Sequence, residues 1–221
     1  MRDPRTTLSR PAPKVAAELL GWTLHSISPE GVVTVVLTEV EAYSGTADPA
    51  SHAWRGRTPR NAVMFGPAGR LYVYVSYGMH HCANVVTGPD GEASAVLLRA
   101  GRVVEGAELA RRRRGPDVAD RSLARGPACL TQALGIGRDH YGLDLLEEGP
   151  IRLAPAEPSG PVASGLVASG PVTSGLVTSG PVASGPRVGV SRAAEVPWRF
   201  WLDGDPTVSA YKRGVRVRAR G

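Results

Sequence analysis

Residues 39 to 99 concentrate side chains that could bind and act on a flat, polar molecule. The segment begins with two carboxylates, Glu39 and Glu41, and contains three histidines and four of the six tyrosines of the 221-residue chain. Aromatic residues make up only 5% of the sequence, so this grouping is local. Tyrosines beside acids, amides and arginines are more typical of a ligand pocket than of a core, because each ring has an apolar face and a polar tip.

The two carboxylates fall at the end of a predicted strand, residues 32 to 43. Hydrophobic side chains alternate there, so that one face carries Val33, Val35, Leu37, Glu39, Glu41 and Tyr43. That face changes from apolar to acidic along its length. Such a change is expected where a strand leaves the core and enters a cleft.

Weaker patterns predict further elements around this strand. A connection rich in Gly, Pro and Arg covers residues 44 to 69, and loops of this length in a compact domain are usually functional or disordered. Strands are predicted at residues 71 to 77, 81 to 87 and 93 to 99, the last two joined by the hairpin signal GPDG, with short strands within 187 to 220. Helices are predicted near residues 15 to 20, at 103 to 112 and at 127 to 134.

Residues 159 to 186 differ in composition from the rest of the chain. They repeat the unit Ser-Gly-(Pro/Leu)-Val-(Ala/Thr) five times, without charged or aromatic residues, and end in Ser-Gly-Pro. A period of five fits neither a helix nor a strand, and it is too short for a solenoid unit. We expect a flexible low-complexity insertion in a surface loop of a single domain that spans residues 1 to 221. A functional role for the repeat is the less favoured alternative.

Charge and cysteine content narrow the class of protein. The formal net charge is +6 and the pI about 9.8, and Lys14 and Lys212 are the only lysines. Arginine binds phosphate oxygens bidentately, so the balance favours a polyanionic partner, although a GC-rich genome that encodes arginine for lysine is a comparable explanation. Two cysteines cannot form a disulfide framework and lack metal-ligand spacing. The sequence has no signal-peptide pattern and no membrane-length apolar run, so we expect a reduced, cytoplasmic protein.

Four ordered motifs resemble one known family. They are TEVEAYSG at residues 38 to 45, a DxxxH spacing that ends at His52, RTPRNAVMFGPAGRLYVYVSYGMHHCANVV at 57 to 86, and AVLLRA at 95 to 100. In this order they resemble the alkyladenine (3-methyladenine) DNA glycosylase family, and weaker matches extend on both sides. The first few residues, the repeat and about the last dozen residues lie outside the resemblance.

The resemblance implies a fold and a reaction. The expected fold is a single mixed α+β domain with a curved antiparallel sheet, flanking helices and a protruding β-hairpin that enters the DNA minor groove. The expected enzyme is a monofunctional DNA glycosylase of base excision repair. It would flip an alkylated or deaminated purine out of double-stranded DNA and hydrolyse the N-glycosidic bond with a Glu-activated water, leaving an abasic site. We expect no metal, no organic cofactor and a monomer in the cytoplasm, associated with the nucleoid if the source is bacterial.

By the same resemblance, Glu41 corresponds to the catalytic base and Arg99 to the arginine that helps to place the water and the sugar-phosphate. A carboxylate in this position can deprotonate water and stabilise an oxocarbenium-like sugar. Glu39 is a rival because it shares the strand face, and only the EAY match favours Glu41. Taken alone, either acid or Arg99 could instead be a solvated charge at the end of a strand.

The other matched residues would bind the base and fill the duplex. Tyr43, His52 and Tyr74 correspond to residues that sandwich and contact the flipped base. Asn84 corresponds to an amide that opposes the 2-amino group of guanine, and Tyr77 to the side chain that intercalates in the vacated space. Strand packing for the tyrosines, and a hairpin amide bonded to its own backbone for Asn84, are the structural alternatives.

Phosphate contacts are predicted for arginines of the long connection, Arg55, Arg57 and Arg60, and for the run Arg111 to Arg114. A charge run is also typical of an ordinary solvated face, so each member has that alternative.

Three other functions fit the sequence less well. A zinc deaminase would need H-x-E and P-C-x-x-C motifs that are absent, and adjacent His80 and His81 would point to opposite faces of a strand. A glycosylase with lyase activity needs an amine nucleophile, and neither lysine lies in the matched region, so we expect no strand cleavage. A nucleic-acid-binding protein that retains only the fold would be expected to lose the pocket motif, which this chain keeps.

Overall fold

The computed structural model describes residues 3 to 76, 78 to 155 and 180 to 214. Within these ranges eight strands form one antiparallel sheet that is not closed, in the order β3-β4-β5-β2-β1-β6, with β8 paired to β2 and β7 paired to β8. This confirms the predicted single α+β domain. The strands are β1 (Thr23–Ser28), β2 (Gly31–Tyr43), β3 (Leu71–Ser76), β4 (His80–Val86), β5 (Ala95–Glu105), β6 (Ile151–Ala154), β7 (Val182–Gly185) and β8 (Arg199–Leu202).

Short helices pack beside the sheet. The α-helices are α1 (Pro4–Leu8), α2 (Ala12–Val15), α3 (Ala107–Arg114) and α4 (Pro127–Leu134), and single 3₁₀ turns lie at Ala16–Leu19, Gly45–Ala47, Ala62–Phe65, Asp120–Ser122 and Arg138–His140. Helix α4 has the predicted bounds. Pro127 begins it without losing a helical hydrogen bond, and Gly135 ends it in the left-handed conformation, with φ of 66°.

Strand β2 organises the domain. Its first part lies between β1 and β5, and β8 pairs with its later residues Glu39, Val40 and Glu41. Every residue from 33 to 42 is buried, so the polar side chains near its end must find partners inside the protein. Register shifts on either side of Glu39 interrupt the pairing with β5, and bulges of this kind re-aim side chains.

The main hydrophobic core packs α1, α2 and α4 against the sheet through fully buried residues such as Leu8, Leu19, Leu37, Leu98 and Leu130. Burying each of these side chains stabilises the fold by about 1.5–3 kcal/mol. A second, smaller cluster lies under the long connection of residues 44 to 69 and contains Ala53, Met64, Tyr72, Val86 and Ala95. This cluster supports the connection next to the end of β2, where Ala95 pairs with Tyr43.

One predicted helix boundary is wrong. The helix predicted at residues 103 to 112 begins only at Ala107, because β5 continues to Glu105. Gly106 separates the two elements with φ of 72°, and a β-carbon there would lie 2.0 Å from the carbonyl oxygen of Val32. Glycine is therefore required at this junction. The helix-like pattern of the residues that follow led to the prediction of a helix across it.

The repeat is described only at its end. Residues 156 to 179 lie outside the described residues, whereas Val182–Gly185 form β7, opposite β8. The prediction of a surface loop is therefore wrong for residues 182 to 185, at the end of the repeat. They form an edge strand because β8 pairs with them on one side, and an edge strand needs no second partner. Between β7 and β8, where short strands were predicted, residues 186 to 198 run without a strand, and the strand predicted near the C-terminus falls mostly outside the described residues.

Candidate active site

The structure brings the two acids of β2 together with Arg99 of β5. The Nε atom of Arg99 lies 2.8 Å from Oε1 of Glu39, and its Nη1 atom lies 3.3 Å from Oε2 of Glu41. Glu39 and Glu41 are completely buried and Arg99 is 5% exposed. One guanidinium thus links both carboxylates, and none of the three is the solvated strand-end charge that the sequence also allowed.

Glu39 is saturated with donors. It accepts four hydrogen bonds, from Arg99 Nε, from Arg199 Nε at 2.7 Å, and from the backbone N–H and hydroxyl of Ser209 at 2.7 and 2.9 Å. Burial alone would raise the pKa of the carboxyl, but the two guanidiniums and the Ser209 amide hold that pKa below its ordinary value. Three of these donors contact Oε1 and one contacts Oε2, and four is about the number that an ionised carboxylate accepts. Glu39 is therefore held firmly by groups of the protein itself.

Glu41 keeps free acceptor capacity. The Tyr43 hydroxyl donates to its Oε2 at 2.9 Å, and the backbone N–H of Val188 donates to its Oε1 at 2.6 Å. With the longer ion pair to Arg99, three acceptor positions are used and one on Oε1 is open. Burial and the neighbouring Glu41 charge raise the pKa of Tyr43 well above its usual value, so this phenol stays protonated and donates.

Aromatic rings form a group beside Glu41 and Tyr43. The ring of His52 lies edge-on to Tyr74, with centroids 4.5 Å apart, and its Nδ1 lies 3.0 Å from the Tyr72 hydroxyl. His52 is exposed as a whole residue, but partial burial of its imidazole and the positive charge of Arg60 lower its pKa. Burial likewise raises the pKa of Tyr74 and brings that of Tyr72 to about 12. The rings therefore present neutral surfaces at neutral pH.

Tyr72 is a member of this aromatic group that the sequence reasoning did not single out. It lies on the same side of β3 as Tyr74, with ring centroids 5.7 Å apart, and its backbone carbonyl accepts a hydrogen bond of 3.1 Å from Nδ2 of Asn84. The i, i+2 spacing of the two tyrosines was the available signal. Asn84 is buried and bonds the neighbouring strand, not its own backbone as the structural alternative supposed.

Three further residues lie at the site: Asp48, close in sequence to Glu41, and Arg187 and Val188, which are distant in sequence. Arg187 is completely buried and contacts Asp48 through Nη1 at 2.5 Å and Nη2 at 2.9 Å. Its guanidinium also lies over the ring of Tyr43, 4.7 Å from the centroid. Val188 follows it and holds Glu41. Asp48 could have been noticed as the first residue of the DxxxH spacing, and Arg187 as the first charge after an uncharged repeat.

The arginines predicted to contact phosphates lie on the long connection. Arg55, Arg57 and Arg60 are exposed, and Arg60 donates to the backbone oxygen of Val75 at 3.3 Å. Tyr77 lies outside the described residues. Met79, directly before β4, is 72% exposed.

The arginine run of α3 is largely engaged within the protein. Arg111 pairs with Glu108 and Asp120, Arg113 with Glu30, and Arg114 donates to Gln132. These contacts favour a structural role for the run over phosphate binding.

Other types of site find little support in the described ranges. No group of three or more His, Cys, Asp and Glu side chains there could hold a metal ion, and no described helix is long and apolar enough to cross a membrane. A surface cavity of about 350 Å³ is lined by Arg70, Tyr141, Asp144 and their neighbours, and it contains none of the predicted site residues.

Comparison with known proteins gives one consistent result. The family model described as methylpurine-DNA glycosylase matches residues 6 to 206. Proteins named "Putative 3-methyladenine DNA glycosylase" are similar over most of their length. That of Nocardia farcinica is 53% identical over 93% of this chain and 89% of its own, and that of Streptomyces avermitilis 48% identical over 98% and 94%. That of Mycobacterium tuberculosis is 49% identical over 93% and 92%. The chain belongs to the methylpurine-DNA glycosylase family.

Proposed function

We propose that this protein is a monofunctional DNA glycosylase that removes alkylated or deaminated purines from double-stranded DNA. The observation that carries the proposal is the difference between the two buried acids. Glu39 is held by four donors, two of them from guanidiniums, whereas Glu41 accepts two hydrogen bonds and one longer ion pair and keeps an open position on Oε1 beside an arginine, a protonated phenol and an aromatic group. This arrangement suits a carboxylate that must bind and deprotonate one water.

In the proposed reaction, the target nucleotide is first rotated out of the duplex into the aromatic group. The C1′–N bond then breaks, and its electron pair leaves with the base. The water held by Glu41 adds through its oxygen to C1′ and transfers a proton to the carboxylate, which leaves an abasic site. Arg99 stays charged throughout and holds Glu41 in place, and the negative charge of Glu41 stabilises the oxocarbenium-like sugar.

The base-binding roles follow from the neutral rings. Tyr43, His52 and Tyr74 would stack on or contact the flipped base, and stacking is worth about 1–3 kcal/mol per base. A cationic alkylated purine would gain cation–π attraction in addition. Asn84 would oppose the 2-amino group of guanine, and its hydrogen bond to the Tyr72 carbonyl would hold the amide in that orientation.

DNA would approach along the β3–β4 turn. We propose that Tyr77 enters the minor groove and fills the space left by the base, and the exposed side chain of Met79 on the same turn suits a surface that meets stacked bases. Arg55, Arg57 and Arg60 would contact phosphates. Replacing Tyr77 with Ala should weaken flipping, and unchanged excision in that variant would remove the assignment.

We further propose that the enzyme acts as a cytoplasmic monomer without lyase activity. Lys212 is the lysine to test directly, because its backbone carbonyl accepts a hydrogen bond of 2.9 Å from Gly189, next to Val188. Its side chain is exposed. Borohydride should trap no covalent complex with abasic DNA, and a trapped complex that disappears in Lys212→Ala would overturn this part of the proposal.

The deciding experiment uses duplexes that each carry one lesion: hypoxanthine, 1,N6-ethenoadenine or an alkylated purine. Abasic sites are measured after incubation with the wild-type protein and with Glu41→Gln. We expect the wild-type protein to excise at least one lesion and the variant to bind DNA without excision. No excision of any lesion by a folded wild-type protein that binds DNA would favour a non-catalytic binding module instead.

A further inference from the structure

Arg187 is a completely buried charged group beside the site, like the two acids of β2. Its side chain is fully buried, and it joins two distant segments of the chain by forking Asp48, 139 residues away in sequence, and by donating to the Ala42 carbonyl at 3.0 Å. The guanidinium lies between two rings, 4.7 Å from the centroid of Tyr43 and 5.3 Å from that of Trp198. The buried guanidinium therefore packs on one face of the Tyr43 ring.

Stability alone does not explain this arginine. Taking a guanidinium and a carboxylate out of water costs several kcal/mol per ion, and apolar replacements of such pairs are often neutral or stabilising. In addition, Nε of Arg187 is, among the described residues, the single buried side-chain nitrogen or oxygen atom without a hydrogen-bond partner. A buried arginine that carries these energetic costs is better explained by the residues that it positions.

The residue held in place is Tyr43. The guanidinium donates to the carbonyl of Ala42, directly before Tyr43, and packs on the tyrosine ring, so both the backbone and the ring plane of Tyr43 are constrained. The Tyr43 hydroxyl in turn donates to Glu41. Nη2 of Arg187 also lies 3.4 Å from the carbonyl of Ala193, the one described non-glycine residue with positive φ, and strained backbone of this kind is typical of functional sites.

We propose that Arg187, held by Asp48, is a positioning residue that acts through Tyr43. By fixing the ring it sets one wall of the base pocket and keeps the phenol on Glu41. The inference rests on the proposed excision reaction, in which Tyr43 must hold the base while Glu41 directs the water. Small displacements of such groups slow reactions strongly, because the reacting atoms must be aligned before the bond breaks.

The first test removes the ion pair as a unit. Arg187→Met with Asp48→Asn leaves no unpaired charge, and methionine can fill most of the space of the arginine stem. Single-turnover excision should slow by about tenfold or more, while the affinity for lesion-containing DNA changes by less than about threefold. The control is Arg5→Met with Asp144→Asn, a second arginine–aspartate pair with the same sequence separation of 139 residues, in which Nη2 of Arg5 contacts both carboxylate oxygens. It should lose stability without slowing excision.

The second test asks whether the effect passes through Tyr43. In a Tyr43→Ala background, removing the Arg187–Asp48 pair should slow excision by less than about twofold, because the group that it positions is already gone. A full tenfold loss in that background, or no loss in the wild-type background, would overturn the inference. Circular dichroism melting verifies that each variant is folded at the assay temperature.

The wild-type control separates the two proposals. If the wild-type protein excises no lesion, the proposed function fails. If the wild-type and the pair variant excise equally, only the role of Arg187 fails. Arg187→Lys gives an independent readout: lysine keeps the charge but cannot fork Asp48 or stack its plane on Tyr43, so it should not restore the rate. Restoration by lysine would contradict a positioning role.

Discussion

The Nε atom of Arg99 lies 2.8 Å from Oε1 of Glu39 in a fully buried contact. This ion pair anchors the guanidinium that also faces the second acid of β2, so one carboxylate serves as a fixed support and the other is left with free acceptor capacity. Two acids two residues apart on one strand therefore have different hydrogen-bond partners, and we expect different roles for them. Substitution of each acid and of its partners should reveal this division.

Replacing Glu41 with Gln should abolish most excision and leave the fold intact. Glutamine keeps the size and the acceptor oxygen of the side chain but cannot take a proton from water, and general-base catalysis is worth about 10²–10⁴-fold. Single-turnover excision measures the rate, and binding of lesion DNA measured by fluorescence anisotropy should change little. A variant that retained more than about a tenth of the wild-type rate would argue against a role as base.

Replacing Glu39 with Ala should instead destabilise the protein. Arg99 and Arg199 would remain buried with their shared counterion removed, which costs about 3–5 kcal/mol. Chemical denaturation gives the free energy of unfolding directly. Because the pKa of Glu39 is depressed, its stabilising contribution is present above the unfolded carboxyl value of 4.5 and is lost as pH falls through the lower folded pKa. The variant should lack this part of the acid transition; an unchanged acid transition would contradict the assignment.

Replacing Tyr43 with Phe should slow excision moderately. The ring remains available for stacking, but the hydrogen bond to Glu41 is lost, and such a bond to a charged group is worth about 1.5–3 kcal/mol. Because the pKa of Tyr43 is raised well above 10, ionisation of this phenol should produce no fall in rate up to pH 10. A pH–rate profile that declines between pH 8 and 10 in the wild-type protein, but not in Tyr43→Phe, would disprove this.

His52 should also make the stability of the protein depend on pH. Here the charged form is the protonated one, and the folded protein disfavours it. Its folded pKa is depressed, so the unfolded chain binds more protons as pH falls, and stability should decrease below about 6.5, the ordinary histidine value. The melting temperature of His52→Gln should fall less between pH 7 and 5 than that of the wild-type protein. His25 also has a lowered pKa, and the variant His25→Gln is the matched comparison away from the aromatic group.

Removing an arginine that binds a DNA phosphate should change the salt dependence of DNA binding. Alanine at Arg55, Arg57 or Arg60 should reduce the slope of log affinity against log salt by about 0.9 for each phosphate that is no longer neutralised, independently of the lesion. Arg113→Ala is the control, because that guanidinium is paired with Glu30 within the protein. Equal slopes for all four variants and the wild-type protein would place the DNA elsewhere.

Local patterns accounted for much of the fold. Alternation located β2, and Pro127 with Gly135 located α4, because strand and helix ends depend on neighbouring residues. The start of α3 and the strand in the last repeat copy were mispredicted, since each depends on a partner that is distant in sequence: Val32 for Gly106, and β8 for β7.

The sequence by itself determined the family, through the ordered motifs around Glu41, Tyr43 and Arg99, and it placed these residues on strands of an antiparallel sheet. The motif register favoured Glu41 over Glu39, but only the tertiary structure showed that their surroundings differ, because the donors Arg199, Ser209 and Val188 lie 160, 170 and 147 residues away from the acids they contact. The buried Arg187–Asp48 pair likewise joins residues that are 139 positions apart in the sequence. Hydrogen-bond saturation of a buried charge is set by groups that only folding brings together, and no local motif records it.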